Sequence, residues 1–136
     1  MLLKKLPGIN VQTPWARMLL SGEKTTETRT YSLPLKYVGH DLWLIETPGK
    51  IGKFTARVIG IIRFSGSEEY KSEKEFYDKA DRHLILSKDS EYAWKIDVRK
   101  FGWIVEHVQP VEEFLAPSPR GIVYARPFGA LIERHP

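Results

Sequence analysis

The chain has 136 residues, and its 21 Lys and Arg against 17 Asp and Glu leave a formal charge of +4. Apolar residues make up 42% and charged residues 28%, which is ordinary for a globular domain and excludes a disordered chain, a collagen or a coiled coil. The length predicts a single domain over residues 1–136, and the absence of cysteine excludes disulfides, thiolate nucleophiles and cysteine-bound zinc.

A short helix is predicted near the start of the chain, over Pro14 to Ser21, after a β-like segment from Ile9 to Gln12. Thr13 is a suitable N-cap before a proline at the first helical position, and Gly22 follows where helices commonly end. Apolar residues recur inside the helix at the spacing of one face, which predicts one buried stripe: Trp15, Met18 and Leu19.

Five further strands and one further helix are predicted. Alternation and β-branched or aromatic residues indicate strands over Thr25 to Thr30, Asp41 to Thr47, Lys53 to Ser65, Phe101 to Gln109 and Gly121 to Arg126. Gly60 predicts a bulge or bend within its strand. The capping box that begins at Ser72 predicts a helix to about Arg82, and residues 84–100 fit either a second short helix or irregular structure.

These elements predict the fold class. One or two short helices among five or six strands, without regular βαβ alternation, indicate an α+β fold with a largely antiparallel sheet. Small sheets with long strands that are apolar on both faces commonly curl, so we expect a β-barrel of five to six strands with short flanking helices.

The positive charge is concentrated early in the chain. Residues 1–60 carry nine Lys and Arg against four Asp and Glu, whereas residues 61–92 have a balance of −2 and residues 93–136 one of +1. An anionic partner is therefore expected at the first half, with an ordinary surface of mixed sign as the alternative. The longest apolar run, Val58 to Ile62, is far shorter than a membrane helix and no secretory signal is recognisable, so we expect a soluble, cytoplasmic protein without a membrane partner.

The most unusual segment is KTTETRTY, from Lys24 to Tyr31, a predicted strand with no aliphatic residue on either face. Its alternation places on one face Thr25, Glu27, Arg29 and Tyr31. Glu27 and Arg29 are about 7 Å apart along the strand, so they can converge on one ligand or pair with each other. The strand is therefore either an exposed edge with a weak ion pair or the wall of a polar cavity.

Residues 13–29, TPWARMLLSGEKTTETR, resemble the ASCH domain, a family of the PUA-like superfamily. The family pattern is a P-W/Y-A helix followed by G-x-K-x-x-E-x-R, and every marked position is filled here: Pro14, Trp15, Ala16, Gly22, Lys24, Glu27 and Arg29. Supporting similarity occurs at Tyr37 to Trp43, at Phe101 to Val105 and at Pro119-Arg120-Gly121. The resemblance covers about residues 9–128.

The resemblance implies a cleft between the first helix and a small barrel, lined by Lys24, Glu27 and Arg29. It implies a ligand of the RNA, nucleoside or nucleotide class, with cations on phosphate, a carboxylate on an N–H or O–H group and aromatic stacking. Further binding residues under this interpretation are Trp15, Tyr31, Trp103 and Arg120. Ordinary core positions are the alternative for the two tryptophans.

An enzyme and an interaction module are the alternative functions. The chain resembles bacterial ASCH amidohydrolases that act on N4-acylated cytidine with Lys, Thr and Glu, but Glu27 occupies the threonine position and residues 83–87 offer no third carboxylate. Lys24 and Glu27 remain candidate catalytic residues for general acid–base hydrolysis of a modified nucleoside or of RNA. A protein-interaction module, as in coactivator proteins that carry such domains, predicts an exposed apolar patch.

Metal and cofactor chemistry have no support in the sequence. The histidines lack the spacing of a metal-ligand motif: His40, His83, His107 and His135. Walker, GxGxxG and GxSxG motifs are also absent from the sequence, so we expect neither a metal nor another cofactor.

Overall fold

The computed structural model describes residues 2–49, 55–117 and 124–132. Its strands are β1 (Leu2–Gln12), β2 (Thr26–Arg29), β3 (Leu42–Thr47), β4 (Arg57–Glu69), β5 (Phe101–Leu115) and β6 (Tyr124–Ile132). Its helices are α1 (Trp15–Ser21), α2 (Glu73–Asp78) and α3 (Ala80–His83), with a 3₁₀ turn at Leu35–Tyr37. The α+β class is therefore confirmed. No helix in the described ranges is long and apolar enough to span a membrane.

The strands form one mixed sheet in the order β2-β5-β4-β3-β1-β6, in which β1 and β3 are parallel and the other neighbours antiparallel. The sheet is not closed into the β-barrel that the sequence led us to expect, because β2 and β6 are opposite edges that do not pair within the described residues. In the described residues the pairing of β1 with β6 runs from Leu2 to Ile9, and β2 pairs along its four residues with β5. A side chain connects β1 to β2 instead: Arg29 Nη2 donates to the Asn10 carbonyl oxygen at 3.1 Å.

The long strand β4 has a bulge-like irregularity at Gly60, one of the two features predicted there. The register of β4 shifts between Val58 and Gly60 relative to β5, and β3 shows the matching irregularity. A Cβ atom at Gly60 would lie 2.6 Å from Leu20 Cδ1 and 2.7 Å from the Gln109 carbonyl oxygen. The missing side chain therefore lets α1 lie directly on the sheet, and α1 carries the first part of the functional site.

We expect Gly60→Ala to lower the free energy of unfolding by about 1–3 kcal/mol, since a methyl group overpacks this contact and the Gln109 backbone is fixed in β5. Urea denaturation measures the change. Alanine at Ser65, an exposed residue of the same strand, is the control and is expected to have little effect. An unchanged midpoint for Gly60→Ala would show that α1 is not held this closely.

Helix α1 packs over one face of the sheet. The main cluster of buried apolar side chains lies between them and includes Ile9, Val11, Ala16, Leu19, Leu44, Ile59, Phe64 and Trp103. The helix begins at Trp15, with Pro14 at the N-cap position, so Thr13 is not the cap. The Thr13 N–H donates instead to the Thr47 carbonyl oxygen at 2.9 Å, which extends the pairing of β1 with β3.

The predicted second helix is divided into two. Ser72 Oγ accepts the Glu75 N–H at 3.1 Å, as the capping box predicts, but Lys79 leaves helical geometry and separates α2 from α3. Residues 84–100 are irregular, and Ile85 and Ala93 are buried along them. This segment has no regular backbone pattern, which explains why periodicity did not distinguish the two alternatives for it.

Candidate functional site

Three charged residues lie together in one buried ion network. Glu27 Oε2 accepts from Arg29 Nη2 at 3.0 Å, and Glu27 Oε1 lies 3.7 Å from Lys24 Nζ. The side chains are 1% (Lys24), 8% (Glu27) and 17% (Arg29) exposed. The ion pair predicted on this strand is thus largely buried and not exposed, although β2 is an edge strand of the sheet. The role of the three residues in binding stays a prediction.

Lys24 is placed by the end of α1. Gly22 adopts a left-handed conformation, with φ of 83°, and ends the helix, after which the Lys24 N–H donates back to the Met18 carbonyl oxygen at 3.0 Å. The ammonium group donates to the His83 carbonyl oxygen and lies 4.8 Å from the centre of the Trp15 ring. Burial lowers the pKa of Lys24, against the opposing attraction of Glu27. These partners enclose the amine, and its positive charge lies beside the Glu27 carboxylate and compensates it.

Arg29 is the most exposed of the three charges. Its guanidinium bridges Glu27 and the Asn10 carbonyl oxygen, and its Cζ lies 5.4 Å from the centre of the Trp103 ring. Burial opposes the charge of Arg29, but Glu27 and Tyr31 outweigh this effect and raise its pKa. The guanidinium is therefore both charged and held in position before any ligand arrives.

Two further aromatic residues near Arg29, Trp103 and Tyr31, differ in their exposure to solvent. Trp103 is 0% exposed, belongs to the core and donates its Nε1–H to the Tyr31 carbonyl oxygen at 3.0 Å. It lies beneath Arg29 and presents no open face for stacking. Tyr31 is 38% exposed and packs edge-on against Trp103 with ring centres 5.6 Å apart. Arg120, the last predicted site residue, lies outside the described residues.

Two neighbours of the network were not predicted from the sequence. Tyr92 donates its hydroxyl proton to Gln12 Oε1 at 2.9 Å and packs edge-on against Trp15, with ring centres 6.0 Å apart. Burial, followed by the influence of Glu91 and Glu27, raises the pKa of Tyr92 to about 12, so the hydroxyl stays protonated. The sequence offered no specific signal for Tyr92, because its irregular segment also contains Trp94 and several aliphatic residues.

These contacts form a closed circuit that joins β1, the start of α1, the turn after α1, β2 and the irregular segment. Each member contacts the next by one of the distances given above, except Asn10 and Gln12, which are two residues apart on β1. We call it the site ring; its members are Gln12, Asn10, Arg29, Glu27, Lys24, Trp15 and Tyr92. The ring combines donors, a carboxylate and two partly exposed aromatic faces, a mixture suited to a polar, planar and anionic ligand.

His83 lies at the end of α3 and supports the site ring through its backbone carbonyl, which accepts from Lys24. The buried imidazole donates from Nε2 to the Phe76 carbonyl oxygen at 2.7 Å, and its Nδ1 accepts the Ile85 N–H at 3.0 Å. A neutral ring satisfies both contacts, whereas a protonated ring would direct a proton at the Ile85 N–H. Burial lowers the pKa of His83; the Phe76 contact opposes this effect and the charge of Lys24 adds to it.

The lowered pKa of His83 predicts a loss of stability in mild acid. Below about pH 6.5, the ordinary histidine pKa, the unfolded chain binds a proton that the folded chain resists. His83 therefore contributes stability above this pH that is lost as the pH falls towards the folded pKa. Urea midpoints of the parent are expected to fall more steeply between pH 7.5 and 5.5 than those of His83→Gln. Parallel pH profiles would contradict this expectation.

The described residues also bear on two other kinds of site, a metal site and an exposed apolar patch. No cluster of three or more His, Asp or Glu side chains that could hold a metal ion occurs in the described part of the chain. Large apolar side chains that are exposed there include Leu35, Leu86, Ile96 and Leu115, and the exposed Leu3 and Leu131 pair directly across β1 and β6.

Comparison with known proteins identifies a matching family and solved structures with a similar fold. The ASCH domain family matches residues 9–113. The structure is similar to a crystal structure of ASCH from Zymomonas mobilis, with a TM-score of 0.59 and 19% identity over 82% of this chain and 73% of that one. Structures of two mutants of this Zymomonas mobilis protein have TM-scores of 0.59 and 0.58, also at 19% identity, over 82% of this chain and 74% and 76% of theirs. Curated proteins include no significant match.

Proposed function

Because this chain belongs to the ASCH domain family, which is PUA-like, we propose that it binds RNA, or a single nucleoside or nucleotide, at the site ring. The observation that carries the proposal is the orientation and partial exposure of the Arg29 guanidinium. Its guanidinium is oriented by Glu27 and Asn10 yet remains partly exposed. A planar, pre-oriented guanidinium is well suited to bind a phosphate through paired hydrogen bonds.

The remaining ring members divide into contact and support. Trp15 and Tyr92 are partly exposed, and so is Tyr31 beside Arg29, so these aromatic rings are available for stacking on bases. Glu27 already accepts from Arg29 and lies against Lys24, so its main role is to orient the arginine. Lys24 in turn compensates the charge of Glu27 and contacts no phosphate directly.

Binding across a salt series tests the proposal. Fluorescence anisotropy with a labelled single-stranded RNA is expected to show saturable binding that weakens linearly in log–log form as the salt concentration rises. Unlabelled mononucleotides added as competitors distinguish a single-nucleotide site from an extended RNA surface. Absence of binding to both RNA and mononucleotides at low salt would contradict the proposed function.

A hydrolase is the second candidate, on one observation. Lys24 has a lowered pKa and lies 3.7 Å from the Glu27 carboxylate, so the two form a buried acid–base pair. Such a pair supports general acid–base attack of water on an amide or a phosphodiester. If so, N4-acetylcytidine or RNA is turned over, and Glu27→Gln lowers turnover by roughly 100-fold or more with little change in affinity. Binding without turnover would reject this candidate.

A further inference from the structure

We propose that Gln12, oriented by Tyr92, is a specificity-determining residue that donates a hydrogen bond to a carbonyl oxygen of the bound base, so that uracil is preferred to adenine. This inference rests on the proposed function, because it assigns the base-reading part of the same site. It concerns residues that the ASCH-like sequence pattern does not mark.

The side-chain amide of Gln12 is held on its oxygen side. Gln12 is the last residue of β1 and is fixed by its pairing with Thr47 of β3. Its Oε1 accepts the Tyr92 hydroxyl at 2.9 Å. The same atom would lie 3.1 Å from a Cβ at Gly49, a glycine with φ of 71°, so this turn backs the amide closely. Tyr92 and the turn at Gly49 together restrict how the amide can rotate.

The nitrogen side of the same amide has no hydrogen-bond partner in the described part of the chain. Within residues 2–49, 55–117 and 124–132, Gln12 Nε2 makes no hydrogen bond, and the residue is only partly buried. An amide NH2 group carries two donors and no acceptor. Gln12 therefore presents an oriented donor group that has no acceptor among the residues the structure describes.

The donor lies beside the proposed phosphate contact. Arg29 is bonded to the carbonyl oxygen of Asn10, which is two residues, or about 7 Å, from Gln12 along β1. Trp15 packs against Tyr92 on the other side of the ring. One nucleotide can thus place its phosphate at Arg29 and its base against the aromatic residues, with an edge directed at Gln12.

The hydrogen bond between Tyr92 and the Gln12 amide oxygen determines which base is preferred. A free glutamine can contact adenine through both amide atoms, accepting from its amino group and donating to a ring nitrogen. Here the Tyr92 hydroxyl occupies one of the two acceptor positions of the amide oxygen, and the turn at Gly49 lies against the same atom, so together they limit how a base amino group can reach it. The remaining donors suit the carbonyl groups of uracil. Because stacking on aromatic side chains accepts every base, a preference for uracil would have to come from this hydrogen bond.

The test compares oligouridylate and oligoadenylate of equal length, measured by anisotropy with the full chain. The parent is expected to prefer oligouridylate. Gln12→Glu replaces donors by acceptors and should weaken oligouridylate binding by roughly tenfold or more, with a smaller effect on oligoadenylate. Gln12→Leu should remove the preference without adding charge, and Tyr92→Phe should shift it towards oligoadenylate by releasing the amide oxygen. Gln109→Glu, on β5, controls for the added negative charge.

Each other outcome overturns a distinct claim. A parent that binds neither oligonucleotide nor any mononucleotide overturns the proposed function, and this inference with it. A parent that binds both oligonucleotides equally overturns the inference alone. The same holds if the Gln12 variants weaken both probes by the same factor while their urea midpoints match the parent, because a uniform loss is not base recognition.

Discussion

Replacing Glu27 by alanine is expected to lower the free energy of unfolding by about 3–5 kcal/mol. The change would leave Lys24, which is 1% exposed, and the largely buried Arg29 as two cations without their shared counter-ion. Removal of one partner from a buried ion pair costs far more than the pair contributes, because the remaining charge stays out of water. Urea denaturation at pH 7, with fluorescence and circular dichroism as separate probes, measures the loss.

Two variants make this expectation specific. Glu27→Gln keeps the size of the side chain and an acceptor for Arg29 but removes the charge, so an intermediate loss is expected. Glu106→Ala removes an exposed carboxylate that pairs with Arg63 on the surface, and little change is expected there. If Glu27→Ala were as stable as Glu106→Ala, the ion network would have to be accessible to water and not buried.

Replacing Arg29 by alanine is expected to weaken RNA binding by about 10–100-fold, the equivalent of one charge-assisted hydrogen-bonded contact. The plot of log affinity against log salt should also become shallower, its negative slope decreasing in magnitude by about one, because one phosphate contact is lost. The affinity of the parent and the variant for the same labelled RNA, measured at four or more salt concentrations, gives both quantities.

Arg29→Lys and Arg99→Ala are the matched controls. Lysine keeps the charge but cannot bridge Glu27 and Asn10 while presenting a second pair of donors, so most of the affinity should be lost while the salt slope is kept. Arg99 is exposed, pairs with Glu69 and lies outside the site ring, so its removal should leave affinity nearly unchanged. Equal effects of Arg29→Ala and Arg99→Ala would mean that binding follows total charge and not this site.

Local sequence patterns determined the secondary-structure elements and several of the side chains that form the site. Helix α1 follows from its apolar spacing and the glycine that ends it, and the polar alternation of KTTETR placed Glu27 and Arg29 on one face of a strand. The irregularity at Gly60 was also predictable, because a glycine inside a strand commonly marks a bulge or the close approach of another group. All of these features depend on neighbours within a few residues, which is the range over which side-chain period and backbone preference act.

The tertiary structure decided everything that depends on distant partners. The order of the strands keeps the sheet open, and Arg29 bridges to β1 where a closed barrel would have had backbone pairing. Trp15 and Trp103 are the same residue type, yet one lines the site ring and the other is buried in the core. Gln12 and Tyr92 meet across 80 positions of sequence. Periodicity specifies which face a side chain occupies, whereas the element that covers that face is chosen by packing of the whole chain.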